Sequence, residues 1–230
     1  MSQYRHELKY LCSDNELQII SSRLNPLMER DIHALDGKYL IRSIYFDDFF
    51  NSSVLSNEEG VSPRKKWRIR AYNHDSSLIM LECKSKAHGM ISKDSCQLSA
   101  EQYKMLLDGK GSLSDCNAPL LNRFIFEQNT SILKPAVIVQ YTRVPFVYPM
   151  GNVRITFDLN ISSSDDIDGF FADNLPARPI LETGRQLLEV KYDEYIPDHV
   201  YHAVQLVNMQ QITFSKYYLC RKFSRGTYTI

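Results

Sequence analysis

Charged side chains occupy every second position in four stretches of the chain. These stretches are Glu7-Leu8-Lys9, Arg68-Ile69-Arg70, Glu82-Cys83-Lys84-Ser85-Lys86 and Glu189-Val190-Lys191. Because side chains i and i+2 lie on the same face of a β-strand, each stretch is predicted to place its charges on one face and apolar or small side chains on the other. A single strand of this kind is an ordinary solvated face, whereas four of them indicate a charged cavity.

Alternation and turn residues predict eight β-strands that are joined mostly by hairpins. Turns are predicted over 74–77, 88–89 and 149–152, and polar connections over 48–63 and 163–184. The strands are expected over 4–11, 39–47, 65–73, 77–87, 90–98, 135–148, 152–161 and 186–195.

Capping residues and helical spacing predict five helices. The first begins at a capping box of Ser13 and Glu16 and ends near Pro26, and the second begins at Ser99 and ends near Gly109. The others are expected over 118–129, 197–208 and 214–224. This pattern predicts an α+β fold with one domain over 1–230. Polar faces on so many strands favour a closed antiparallel β-barrel, a tunnel with flanking and C-terminal helices.

Composition narrows the class of protein only slightly. The chain has 230 residues with 27 basic and 27 acidic side chains, so its bulk charge gives no reason to expect binding to nucleic acid or membranes. Five scattered cysteines without C-x-x-C spacing favour reduced thiols and a cytoplasmic location. No stretch approaches the roughly 20 apolar residues that span a bilayer, so we expect no membrane insertion.

The charged strands suggest a particular chemistry. Clustered Lys and Arg suit a ligand with several phosphates, and Glu7, Glu82 and Glu189 offer the oxygen ligands that Mg²⁺ and Mn²⁺ prefer. The alternative is that the basic residues are exposed in cross-strand ion pairs and that each glutamate only neutralises a neighbouring Lys or Arg.

Other chemistries find little support in the sequence. The chain has no phosphate-binding G-x-x-x-x-G-K-[ST] loop, no G-x-G-x-x-G, no H-E-x-x-H and no G-x-S-x-G. A basic sheet with aromatic residues could bind RNA, but the Phe and Tyr residues here fall on apolar faces and are expected in the core. The same reasoning predicts that Trp67 faces the core, opposite Arg68 and Arg70.

Seven short motifs, in order along the chain, resemble those of a known family. They are Tyr4-Arg5-His6-Glu7-Leu8-Lys9-Tyr10, Ser43-Ile44-Tyr45-Phe46-Asp47, Lys65-Lys66-Trp67-Arg68-Ile69-Arg70, Leu81-Glu82-Cys83-Lys84, Tyr141-Thr142-Arg143, Arg154-Ile155-Thr156-Phe157-Asp158 and Leu188-Glu189-Val190-Lys191-Tyr192. Together they resemble the VTC (vacuolar transporter chaperone) polyphosphate-polymerase domain, which has the CYTH-like, triphosphate tunnel metalloenzyme fold. The chain is similar to the stand-alone bacterial form of that domain.

The resemblance assigns roles to particular residues. It implies catalytic roles for Lys9, Arg68, Arg70, Lys84, Arg143, Arg154 and Lys216. It also implies that Ser215, beside Lys216, binds phosphate and that Glu189 is the metal ligand. The charge pattern adds Lys86, Lys191 and Arg221 as phosphate-binding residues and Glu7 and Glu82 as further ligands of Mn²⁺ or Mg²⁺. One departure is Arg5, which stands where hydrolytic relatives carry the first carboxylate of E-x-E-x-K.

The predicted activity is therefore a metal-dependent phosphotransferase. It is expected to move the γ-phosphoryl group of ATP onto polyphosphate, with ATP and polyphosphate or triphosphate as partners and no nucleic acid. Two alternatives stay open, namely a metal-dependent hydrolase of triphosphate or nucleoside triphosphates and a non-catalytic polyphosphate-binding module. The oligomeric state is not predicted.

Overall fold

One antiparallel sheet organises the part of the chain that the computed structural model describes, residues 5–87, 90–112, 118–206 and 209–224. Its strands are β1 His6–Ser13, β2 Glu29–Arg30, β3 Tyr39–Asp47, β4 Arg64–Tyr72, β5 Ile79–Ala87, β6 Met90–Leu98, β7 Lys134–Tyr148, β8 Val153–Ser164, β9 Arg178–Pro179 and β10 Arg185–Tyr192. The helices are α1 Asp14–Leu24, α2 Ser52–Glu58, α3 Ala100–Leu107, α4 Pro119–Ser131, α5 Asp198–Val204 and α6 Lys216–Ser224.

The predicted closed barrel is wrong, because the sheet is open. The strands follow the order β1-β10-β8-β7-β3-β4-β5-β6, with β2 paired to β7 and β9 to β8. Within the described residues no hydrogen-bonded ladder joins β1 to β6. The free edge of β1 is instead partly covered by an irregular segment, since Ile212 donates its backbone N–H to Lys9 at 2.9 Å. A curled open sheet produces the same alternation of polar and apolar residues as a barrel, so the pattern alone did not distinguish them.

The sheet is nevertheless strongly curled. Lys84 on β5 lies 3.2 Å from the carboxylate of Glu7 on β1, although these strands are far apart in the strand order. The charged faces of the strands therefore meet on the concave side of the sheet. Side-chain ion pairs, rather than a backbone ladder, bridge the concave side there.

Local sequence signals account for most elements. Ser13 caps α1 in a capping box with Glu16, and Ser99 caps α3 in one with Gln102, as predicted. The connection over 48–63 was predicted to be irregular, but it contains α2. Asn51 is the N-cap residue of α2, and its side chain makes no capping hydrogen bond to the helix. The short strands β2 and β9 were also missed, and the turn predicted at 88–89 lies outside the described residues.

The convex face of the sheet packs against helices. Trp67 and Ile69 of β4 lie buried with Leu106 of α3 and Phe124 of α4, so the prediction that Trp67 faces the core is confirmed. A second apolar cluster joins α1 and α5 to β1, β8 and β10. Among the described residues, no helix is long and apolar enough to cross a membrane.

The concave face is filled only in part. Tyr217 and Cys220 of α6 pack against Val137 and Val139 of β7. α6 covers only this part of the concave face. The charged residues of the other strands therefore line an unfilled space beside the helix.

Candidate functional site

A cavity of about 340 Å³ lies on the concave face of the sheet beside α6. Among the described residues, its acidic lining consists of Glu7 and Glu189, and its basic lining consists of Lys9, Arg64, Lys66, Arg68, Arg70, Lys84, Lys86, Arg143, Lys191 and Lys216. Cations therefore greatly outnumber carboxylates on this surface, although the whole chain has no net charge.

Strand alternation produces this lining. Positions 64, 66, 68 and 70 of β4 all contribute to the cavity. The intervening Lys65 lies on the other face, where its Nζ pairs with Glu127 of α4 at 2.7 Å. The structure thus places the charges of β4 on the face that the sequence pattern indicated.

A buried charge cluster forms where α6 meets the cavity. Arg143 makes two hydrogen bonds of 2.7 Å to the carboxylate of Asp158, which is completely buried. Lys216 lies 2.6 Å from Asp158 and 2.8 Å from Glu189. Two cations and two carboxylates therefore fix one another in position.

The pKa values in this cluster show that its groups stay ionised. Burial alone would raise the pKa of Glu189, but Lys191, Lys216 and Arg143 outweigh it and hold that pKa well below its usual range. Burial alone would lower the pKa of Lys216, but Asp158 and Glu189 raise it. The cluster therefore presents fixed charges to the cavity at neutral pH.

A second acidic position lies on β1. Glu7 pairs with Lys9 at 3.1 Å and with Lys84 at 3.2 Å, and Lys191 lies 4.0 Å away. Burial alone would raise the pKa of Glu7, but Lys191, Lys84 and Lys9 lower it to about 2. Glu7 is consequently the carboxylate that joins lysines from β1, β5 and β10.

This depressed pKa predicts a pH-dependent contribution to stability. Since the folded-state pKa of Glu7 lies below its ordinary value, its contribution is present above about pH 4.5 and is lost as the pH falls towards about 2. We expect Glu7→Gln to lower the free energy of unfolding at pH 7 by up to about 3 kcal/mol. Urea unfolding between pH 7 and pH 3 should show the gap to wild type narrowing below pH 4.5. A gap that stays constant would contradict this assignment.

The third predicted metal ligand, Glu82, lies behind the lining. Its carboxylate pairs with Arg68 at 2.6 Å, with Lys93 at 3.1 Å and with Arg70 at 3.9 Å, and it is not among the lining residues. Glu82 is only 2% exposed. In the structure Glu82 therefore neutralises neighbouring cations, which was the alternative to metal binding for each glutamate.

Two predicted basic residues also lie outside the described lining. Arg154 donates to Asp31 at 2.7 Å and to the Tyr39 hydroxyl at 2.8 Å. Arg221 of α6 donates to the backbone carbonyl of Ala136 at 3.1 Å and to Asn51. The remaining predicted residues line the cavity: Lys9, Arg68, Arg70, Lys84, Lys86, Arg143, Lys191, Ser215, Lys216, Glu7 and Glu189.

Several site residues were not singled out from the sequence. Arg64 and Lys66 continue the alternation of β4, so the same pattern could have identified them. Tyr141 and Tyr217 line the cavity as well, and both also belong to a buried apolar cluster, where Phe and Tyr residues were expected. Asp158 was part of a quoted motif, but no local signal showed that it would hold Arg143.

The two cavity carboxylates are the groups that could hold a divalent metal. Mg²⁺ is usually bound by one or two carboxylates together with water and substrate phosphates. Glu7 and Glu189 fit this donor set, and they lie close enough that each affects the charge state of the other. In the described part of the chain, no group of three or more His, Cys, Asp or Glu side chains could hold a metal alone, so phosphate oxygens would have to complete the shell.

Comparison with known proteins gives the family. The VTC domain model matches residues 4–224, and no curated protein matches the chain. A solved structure of a candidate adenylate cyclase from Bacillus halodurans has a TM-score of 0.53 at 15% identity and covers 99% of both chains. A Pyrococcus horikoshii protein has a TM-score of 0.45 at 16% identity, covering 87% of this chain and 84% of that one. The chain therefore shares the overall fold of the Bacillus halodurans structure, and it belongs to the VTC domain family.

Proposed function

We propose that the protein is a metal-dependent polyphosphate polymerase, which moves the γ-phosphoryl group of ATP onto a polyphosphate end and releases ADP. The observation that carries the proposal is the cavity on the concave face, which gathers ten cations and two carboxylates from five strands and α6. Membership of the VTC domain family supports a ligand with several linked phosphates.

The arrangement suits phosphoryl transfer because this reaction needs little covalent help from a protein. Catalysis rests on holding donor and acceptor in line and on stabilising the charge that develops on the transferred group. Arg143 and Lys216 are already fixed by Asp158, so they can contact phosphate oxygens without reorganising. Arg68 and Arg70 are held in the same way by Glu82, so their charges are also fixed at the cavity.

Mn²⁺ or Mg²⁺ is proposed as the cofactor, held by Glu189 with Glu7 nearby. When bound, such an ion would neutralise phosphate charge and help to stabilise the charge that develops during transfer. Lys191 and Lys216 flank Glu189 at 3.1 and 2.8 Å. These lysines would position the phosphate oxygens beside the carboxylate.

A hydrolase in the same cavity is the second candidate, with water as the acceptor. The first carboxylate of the hydrolytic motif is replaced by Arg5, whose Nε lies 2.8 Å from Asp193 and which is not among the lining residues. This loss favours the polymerase over the hydrolase. The third candidate is a non-catalytic binding module, and the presence of two carboxylates in the cavity argues against it.

Incubation of the pure protein with ATP and Mn²⁺ distinguishes these candidates. We expect ADP and long-chain polyphosphate, detected by gel electrophoresis and ³¹P NMR. Free phosphate without polymer would identify a hydrolase. The absence of both products, with triphosphate still bound, would identify a binding module.

Binding of triphosphate should depend on the face of β4 that is altered. We expect Arg68→Ala to weaken triphosphate binding at least tenfold, because a charge-assisted hydrogen bond contributes about 1.5–3 kcal/mol. Lys65→Ala on the opposite face is the matched control, since it also removes an ion pair, to Glu127, and it should change the affinity less than about twofold. Equal losses in calorimetric titrations would show that the ligand does not use this face.

A further inference from the structure

Lys66 is held in the cavity by neutral partners. Its Nζ donates to the Asn57 side-chain oxygen at 2.9 Å and to the Ser215 hydroxyl at 3.0 Å. The Nζ also lies 5.4 Å from the centre of the Tyr217 ring. Lys66 therefore joins β4 to α2 and to the start of α6 without an anionic contact.

Four other lysines of the cavity differ in this respect. Lys9 and Lys84 pair with Glu7, and Lys191 and Lys216 pair with Glu189. In the described ranges, no carboxylate lies within 4.0 Å of the Lys66 Nζ. Lys66 is thus a half-buried lysine whose charge has no counter-ion in contact among the described residues.

The strand register makes its position less favourable for a charge. Lys66 is the direct cross-strand partner of Lys84, and Arg64 is the direct partner of Lys86. Like charges in directly opposed positions repel one another. Further along the same ladder, Arg68 is opposite Glu82, which neutralises it. Lys66 is instead opposite a second cation, so its cross-strand pair is repulsive.

Most of the charged groups around Lys66 lower its pKa. Burial lowers the pKa of Lys66, Arg64, Lys84 and Lys9 lower it further, and together they bring it to about 7. Asp47 opposes them only weakly. The Asp47 carboxylate is already engaged by the Tyr217 hydroxyl and by the backbone N–H of Ser53.

We infer that Lys66 is a further ligand-binding residue that couples phosphate binding to proton uptake. In the empty cavity its amine is partly neutral. When a phosphate chain enters, Nζ accepts one proton from solvent on its lone pair and becomes the ammonium that pairs with a phosphate oxygen. This inference rests on the proposed function, because the entering polyanion supplies the counter-charge that the folded chain lacks at this position.

The coupling predicts a proton uptake on binding and an affinity that falls as the pH rises. A group that is half protonated near pH 7 and fully protonated when bound takes up about 0.5 proton at pH 7. It also makes binding roughly 15-fold weaker at pH 8.5 than at pH 7. An arginine at the same position is always charged, so it would bind without taking up a proton.

The test is calorimetric titration of triphosphate into wild type, Lys66→Arg and the control Lys86→Arg. Lys86 is a cavity lysine on the adjacent strand. Each titration is run at one ionic strength in two buffers of different ionisation enthalpy, which gives the number of protons taken up. Protonation of the triphosphate itself cancels between variants. If Lys66→Arg does not fold, Lys66→Gln gives the same comparison, because an amide does not titrate either.

We expect Lys66→Arg to take up about 0.5 proton less than wild type at pH 7 and to lose much less affinity between pH 7 and pH 8.5. The control Lys86→Arg makes the same exchange at another cavity lysine, so it measures what the arginine fork alone does to binding. Equal proton counts in wild type and Lys66→Arg, with triphosphate still bound, would overturn the role of Lys66 and leave the proposed function intact. Absence of triphosphate binding to wild type would overturn both.

Discussion

Asp158→Asn is expected to lower the free energy of unfolding by about 3–5 kcal/mol, because it removes one partner of a buried ion network. Arg143 would lose both of its 2.7 Å hydrogen bonds to a carboxylate, and Lys216 would lose its contact at 2.6 Å. Glu189 alone would then face both cations. For a chain of this size the loss corresponds to a fall in melting temperature of roughly 10 °C. Urea unfolding at pH 7 measures it.

Asp94→Asn is the matched control for this substitution. Asp94 also pairs with an arginine, Arg123, at 3.3 Å, but both side chains are about half exposed. Exposed pairs contribute roughly 0–1 kcal/mol, so the control should unfold close to wild type. If Asp158→Asn lowered the free energy of unfolding no more than Asp94→Asn does, the buried cluster would not be what holds α6 at the cavity.

Glu189→Gln is expected to reduce metal-dependent turnover of ATP by about 100-fold or more, since it removes an anionic oxygen from the proposed metal site. The protein should fold, because Asp158 still holds Arg143 and Lys216. It should be less stable than wild type, because Glu189 is 4% exposed and lies beside three cations. Turnover should be measured over a range of Mn²⁺ concentrations, together with Mn²⁺ binding in the presence of triphosphate.

Glu82→Gln separates the metal effect from the loss of stability. Glu82 is equally buried and also neutralises several cations, but it does not line the cavity. We expect this variant to lose stability and to keep its affinity for Mn²⁺. If Glu189→Gln keeps full turnover at saturating metal, the ion would have to be held elsewhere, with Glu7 as the other cavity carboxylate, or would play no part in the reaction.

The sequence predicted the direction of side chains better than the closure of the sheet. Alternation on β4 is a local property, so it correctly separated the cavity residues Arg68 and Arg70 from Trp67 on the convex face. Whether β1 pairs with β6 depends on curvature and on what covers the two edges. Both are long-range properties, and a segment around Ile212 that covers part of β1 has no strand-like pattern.

The positions of predicted residues outside the cavity lining have the same physical origin. Arg154 and Glu82 carry charges in suitable strands, but Arg154 is engaged by Asp31 and Glu82 by Arg68, and these contacts depend on tertiary structure. Asp158 was missed for the converse reason. A single aspartate in the middle of β8 gives no sign that Arg143 and Lys216 converge on it from another strand and from the last helix.

On the proposed function, the cations of β1, β4, β5, β7, β10 and α6 act together to hold a phosphate chain in the cavity. The most direct measurement compares the melting temperature of the protein with triphosphate and with a single-stranded RNA of matched charge. At a concentration about 100-fold above its Kd, triphosphate should stabilise the fold by about 2.7 kcal/mol, which is a rise of several degrees, and high salt should reduce the rise. RNA should give a much smaller shift, because a cavity of about 340 Å³ admits a phosphate chain but not stacked bases. Equal shifts with RNA and triphosphate would contradict the account, since they would mean that the ligand binds an open basic surface.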